Sequence, residues 1–241
     1  MINKLSILMY LELLFNKPIN KITQDELKKV STITLEYSEN GNLEDKIKLS
    51  QIINMLPNLK RLTIKNKIIS NNLIDELSML NLESLSFENC SINSIVSLEK
   101  FNNLNELHIR NSSLLNYSIL KTLNKDINKI FIQNPADENE VDFSLLSNYV
   151  KLNELYLEKC IIKNINKILS LQNIKILSML WSEIVDVDDI SLLLNLNNLE
   201  DIYISKYYEN LESVKQLSLR KNVYYNLNHF ALDEPEIKNK L

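Results

Sequence analysis

The sequence predicts an α/β solenoid: a horseshoe of stacked repeats with a parallel concave sheet of about nine short strands and a convex side that is mostly 3-10 or irregular. Three observations lead there. The phrase NLESLSFENCSI, residues 81–92, returns as KLNELYLEKCII, residues 151–162, with its apolar residues and its cysteine in the same places. Related phrases recur every 22 to 25 residues through the middle of the chain. Glycine occurs only once, as Gly41, so the tight turns between phrases must rest on the abundant asparagines, which tolerate a positive φ.

At the N-terminus, MINKLSILMYLELLF places Lys4 before an apolar run, as a secretory leader would. Glu12 interrupts that run and no small-residue cleavage site follows before Lys17 and Pro18, which favours a short amphipathic helix covering one end of the core. Thr23-Gln24-Asp25-Glu26 matches a capping box and opens a second short helix. Residues 1–29 therefore read as an N-terminal helical cap. No segment reaches the ~20 apolar residues of a membrane span.

Within the repeated phrase, apolar residues occupy relative positions 1, 4 and 6, cysteine position 9 and an apolar residue position 11. These are Leu82, Leu85, Phe87, Cys90 and Ile92 in one copy, and Leu152, Leu155, Leu157, Cys160 and Ile162 in the other. A step of three follows: Ile95, Leu98 and Phe101, then Ile165, Ile168 and Leu171. Positions 4 and 6 alternate with polar neighbours, so each phrase is a short strand with one face buried. The step of three suits a 3-10 return path, in which residues i and i+3 share a side. A single such unit cannot bury its apolar stripe alone, and neighbours must stack.

Further copies start at Val30, Leu59, Leu104, Ile127, Ile174, Leu199 and Val214. From Leu59 the spacings are 23, 22, 23, 25, 22, 25 and 15 residues, the last short step reading as a terminal capping element. The chain resembles the leucine-rich-repeat family over residues 30–225, and the period resembles its bacterial internalin-like short-repeat class. That resemblance implies a concave parallel sheet, a convex side largely of 3-10 turn, and true helices only in the longer repeats. Residues 226–241, with Asp233-Glu234-Pro235-Glu236, read as a polar C-terminal cap or tail.

Composition removes several function classes. The formal charge is −4, with 27 Lys+Arg and 31 Asp+Glu interspersed, which argues against nucleic acid as partner. One glycine cannot build a P-loop or a dinucleotide fingerprint. Cys90 and Cys160 lie three repeats apart, so at ~4.8 Å per strand their Cα atoms are ~14 Å apart, beyond the ~7 Å limit for a disulfide. Both are read as structural thiols. The two histidines, His108 and His229, stand at no metal-ligand spacing, and Asp186-Val187-Asp188-Asp189 lacks the glycine and distal glutamate of a calcium loop. With Asp137-Glu138-Asn139-Glu140 it reads as a solvated acidic turn, although the two loops together are placed to form a negative rim. No catalytic residue, cofactor or metal is expected.

Positions 3, 5 and 7 of each strand face out of the core. Position 5 runs Thr34, Thr63, Ser86, His108, Phe131, Tyr156, Ser178, Tyr203 and Ser218, turning from small and polar to aromatic in the middle. Ile176, Leu180 and Trp181, the only tryptophan, extend the patch, and Arg110, Lys129, Glu154, Glu158, Lys159, Asp201 and Lys206 surround it. Aromatic anchors with mixed charge at the rim suit a protein partner. The expected partner-binding set is His108, Arg110, Phe131, Tyr156, Glu158, Ile176, Leu180, Trp181, Tyr203 and Lys206. The sequence thus supports a non-catalytic, monomeric protein-interaction module, cytoplasmic and of inhibitor or immunity type, binding neither nucleic acid nor membrane. The alternative is an internalin-like secreted or surface protein that binds a host molecule.

Overall fold

The computed structural model describes residues 7–37, 55–92, 97–114, 117–135, 140–185, 190–208 and 211–226. Nine strands form one parallel sheet in which each strand pairs with the equivalent strand of the next repeat. In chain order they are β1 (Thr32–Glu36), β2 (Arg61–Lys65), β4 (Ser84–Glu88), β6 (Glu106–Arg110), β8 (Lys129–Gln133), β10 (Glu154–Glu158), β12 (Ile176–Met179), β14 (Asp201–Ser205) and β15 (Asn222–Asn226). Two smaller parallel ladders run beside it. One joins β3 (Ile68–Ile69), β5 (Ser91–Ile92) and β7 (Ser113–Leu114); the other joins β9 (Glu140–Asp142), β11 (Ile161–Lys163) and β13 (Glu183–Ile184).

The core follows the phrase. Leu82, Leu85, Phe87, Cys90, Ile92, Leu98 and Phe101 are all buried, as are Leu152, Leu155, Leu157, Cys160, Ile162, Ile165, Ile168 and Leu171. Ile95 lies outside the described residues. The step of three becomes 3-10 helix at Tyr117–Thr122, Ile165–Ser170 and Ser191–Asn195, with a shorter turn at Phe143–Leu145.

The expectation that helices belong to the longer repeats is corrected. A helix at Asn71–Leu77 occupies a 23-residue repeat, because Ser70 caps it by accepting from the Leu73 N–H and because Ile74 and Leu77 bury on one face. The two 25-residue repeats, starting at Ile127 and Ile174, hold only 3-10 turn among their described residues. Upstream, the capping box at Thr23 forms as written. The Glu26 N–H donates to Thr23 Oγ1 at 3.3 Å, the Thr23 N–H donates to the Glu26 carboxylate at 2.8 Å, and Lys17 Nζ reaches the same carboxylate at 2.6 Å. The helix Ile7–Phe15 precedes it.

Asparagine does the work assigned to it. In six successive repeats the residue just past the concave strand is left-handed: Asn66, Asn89, Asn111, Asn134, Lys159 and Trp181, with φ between 47° and 57°. In the first five this turn aims the N–H at the next repeat. Asn66 donates to the Glu88 carbonyl, Asn89 to Arg110, Asn111 to Gln133, Asn134 to Glu158 and Lys159 to Leu180, all at 2.9–3.0 Å. The same turn swings the chain into the second ladder.

Position 9 then points inward. The Cys90 N–H donates to Ser112 Oγ at 3.0 Å, and the Cys160 N–H donates to Ser182 Oγ at the same distance. Ser182 in turn donates to the Leu157 carbonyl at 2.7 Å, while the two thiols lie 3.4 Å from the Glu88 and Glu158 carbonyls. Cysteine and serine thus satisfy the buried backbone in the interior of the bend. Both cysteines are free and buried. Burial pushes the Cys160 thiol up to about 12 and shifts the Cys90 thiol in the same direction, so the reactive thiolate is scarce. Both are expected to label slowly with a thiol reagent in native buffer and rapidly in denaturant. An intramolecular disulfide found by mass spectrometry would overturn this register.

Candidate binding face

Outward residues are aligned by strand register, and the rows run straight across the sheet. Thr34, Thr63, Ser86, His108, Phe131, Tyr156, Ser178, Tyr203 and Tyr224 pair in succession from β1 to β15. Cross-strand neighbours on one face lie close enough for rings to meet. His108 stacks on Phe131 at 5.8 Å between centroids, Phe131 meets Tyr156 at 5.4 Å, and Tyr203 stacks on Tyr224 at 4.6 Å.

The end of the row differs from the sequence reading. Ser218 does not stand at an outward strand position, because the phrase begun at Val214 is a helix, Glu212–Ser218, whose Val214 and Leu217 are buried three residues apart. The ninth strand follows it, with Val223 inward and Tyr224 in the concave row. Tyr224 was legible only in the alternation of Asn222-Val223-Tyr224, which the stronger apolar spacing of the helix obscures.

Charges bracket the rings. Lys129 Nζ pairs with Glu154 at 2.8 Å and lies 4.9 Å from the Tyr156 ring centre, and the Tyr156 hydroxyl donates to Glu154 at 3.2 Å. Burial first, and then the Glu154 charge, hold the Tyr156 hydroxyl well above the ordinary phenol range, so it stays a donor. Arg110 lies over Phe131 at 4.5 Å and Lys159 over Trp181 at 5.7 Å. His108, 3.8 Å from Glu106, has its pKa lowered by burial and then by Lys129, which makes it a neutral aromatic surface at neutral pH.

Of the ten residues expected to bind, His108, Phe131, Tyr156, Ile176, Trp181 and Tyr203 are half-buried, while Arg110 and Lys206 are exposed. Two are corrected. Leu180 is buried at 5% exposure, apart from the main core, and Glu158 at 9%. At the floor of the face, Glu158 accepts from Ser178 Oγ at 3.0 Å and from Gln133 Nε2 at 2.9 Å. Both lie beneath the surface they were expected to form, because the middle of a concave sheet is shielded by its flanking side chains. The acidic stretches 136–139 and 186–189 lie outside the described residues.

Burial raises the Glu158 carboxyl above its ordinary 4.5, although Ser178, Gln133, Arg110 and Lys159 all pull the other way. The folded state therefore takes up this proton more readily than the unfolded chain. The ionised carboxylate subtracts from stability above the folded-state value, and the loss disappears below 4.5. Glu158→Gln is expected to be the more stable protein at pH 7, with the difference closing as the pH falls below 4.5. Urea unfolding at the two pH values measures this, and a variant less stable at pH 7 would show that the ionised form is held favourably.

No protein-family model matches the chain, and no curated protein matches it. Solved structures do. An internalin (inlF) from Listeria monocytogenes str. 4b F2365 superposes with TM-score 0.57 at 23% identity, covering 86% of this chain and 57% of its own. Internalin C2 from the same strain gives 0.57 at 20% identity, covering 80% of this chain and 89% of its own. The chain has the leucine-rich-repeat fold. The solenoid spans little more than half the length of the first of these internalins. It also superposes on TLR13, solved in complex with ssRNA13, with TM-score 0.53 at 17% identity, covering 87% of this chain and 28% of that one. These likenesses describe architecture. Among the described residues no cluster of His, Cys, Asp and Glu is placed to hold a metal, and no helix is long and apolar enough to cross a membrane.

Proposed function

We propose that this leucine-rich-repeat solenoid is a protein-interaction module that docks a folded protein partner on the concave aromatic row and carries no chemistry of its own. The observation that carries this reading is the row from His108 to Tyr224. Its rings stack across adjacent strands, stay partly accessible and are bordered by Arg110, Lys129, Glu154 and Lys159, while the first three strands present only Thr34, Thr63 and Ser86 in the same row. Rigid aromatic side chains on a strand scaffold give large contact area at small entropic cost, as binding anchors require.

A cytoplasmic, monomeric inhibitor or immunity-type protein fits the acidic charge and the residue content. The fold likeness to two Listeria internalins favours a second reading, a surface protein of internalin type. A phosphate backbone is disfavoured as partner, because the formal charge is −4 and Glu106, Glu154 and Asp201 line one side of the row. The test is affinity capture from the source cells, identification of the bound protein, and measurement of its affinity for Tyr156→Ala, Trp181→Ala and Ser31→Ala. Loss with the first two and retention with the third supports the concave face. The reverse pattern, or loss only when residues 137–142 or 186–189 are neutralised, makes the acidic loops the working surface.

A further inference from the structure

Two of the six left-handed turns are built from the wrong residues. Asparagine is enriched several-fold at positive φ, and a bulky side chain there is strained. Four repeats use asparagine, yet the next two place Lys159 at φ 54° and Trp181 at φ 56°. Asparagine would make the same turn more easily, so the turn does not explain these side chains. They are adjacent: the Lys159 N–H donates to the Leu180 carbonyl at 2.9 Å, and Lys159 Nζ lies 5.7 Å from the Trp181 ring. Lys159 is exposed and Trp181 half-buried.

Charge adds an independent observation. Lys65 pairs with Glu88 and Lys129 with Glu154, each at 2.8 Å. Lys159 and Arg110, by contrast, make no ion pair with any described carboxylate and lie only against the rings of Trp181 and Phe131. Glu158 interacts electrostatically with both of them, but its oxygens are engaged by Ser178 and Gln133 in the floor. The acids along this edge are thus already engaged, Glu88 by Lys65 and Glu158 in the floor, whereas the opposite edge carries Glu106, Glu154 and Asp201.

We propose that Lys159 and Trp181 form a specificity anchor for an acidic segment of the partner protein, a carboxylate meeting Lys159 while a neighbouring apolar side chain covers Trp181. This rests on the concave face being the docking surface. The acids across the row orient the segment, because they repel its carboxylates toward the Lys159 edge.

Trp181 is the only tryptophan, so its fluorescence reports from the site itself. The probes are a synthetic peptide of alternating leucine and aspartate, its leucine and asparagine counterpart, and a uridine oligonucleotide. The acidic peptide is expected to shift the emission saturably and to lose about tenfold in affinity with Lys159→Asn, a loss restored by Lys159→Arg. Lys159→Asn is also expected to raise the melting temperature by about 1–3 °C as strain is released. Absence of peptide binding, equal binding of the uncharged peptide or the oligonucleotide, or a lowered melting temperature for Lys159→Asn would overturn the proposal. Retention of the captured partner by Lys159→Asn alongside its loss by Tyr156→Ala would remove the acidic anchor and leave the concave face standing.

Discussion

Leu155→Ala is expected to lower the stability of the solenoid by about 2–5 kcal/mol. Leu155 has 0% exposure in β10 and pairs in register with Ile130 on one side and Leu177 on the other, both also fully buried. Removing its isopropyl group leaves a cavity at the junction of three repeats, where the neighbouring strands are fixed by ladders on either side and relax little. Repeats contribute to stability through their interfaces as well as individually, so one cavity weakens two junctions. Urea unfolding followed by far-ultraviolet circular dichroism measures the change. A loss below ~1 kcal/mol would place Leu155 on the outside, since a slip of one residue exchanges the two faces of a strand.

Tyr156→Ala, one residue along, is expected to act on binding instead. Its ring is half-buried, in contact with Phe131 at 5.4 Å and with Lys129 above it, and its hydroxyl is tied to Glu154. Truncating an anchor of this kind costs about 2–4 kcal/mol of binding, at least tenfold in affinity, while the lost ring contacts cost the fold roughly 1 kcal/mol. Trp181→Ala is expected to follow the same pattern, and Ser31→Ala to change neither quantity. Titration calorimetry with the captured partner, beside thermal unfolding, separates the two effects. A Tyr156→Ala protein that binds normally would place the working surface elsewhere.

Most of the architecture was determined by the sequence alone, because each repeat is specified by local alternation and by a period that stacking enforces. Leu85 and Phe87, or Leu155 and Leu157, alternate with polar neighbours and can be buried only if their strand lies flat on a core shared with the next repeat. The capping box at Thr23 and the asparagine turns were legible for a similar reason: each is a short-range device whose geometry depends on a few residues. The last repeat was not, because Val214 and Leu217 satisfy a helix as well as the start of a strand phrase, and only packing against the 3-10 turn Ser191–Asn195 and β15 selects the helix and moves the ninth strand to Asn222–Asn226.

For the binding face, the sequence supplied the row of residue types but not their depth. Only the tertiary structure decided that Glu158 and Leu180 lie in the floor while Tyr156 and Trp181 remain accessible, since burial on a concave surface depends on the side chains of the strands to either side. The strain at Lys159 and Trp181 was likewise decided there. Residue identity shows that asparagine is missing from two turns, but a backbone angle acquires its sign only when the chain must turn from one ladder into the next.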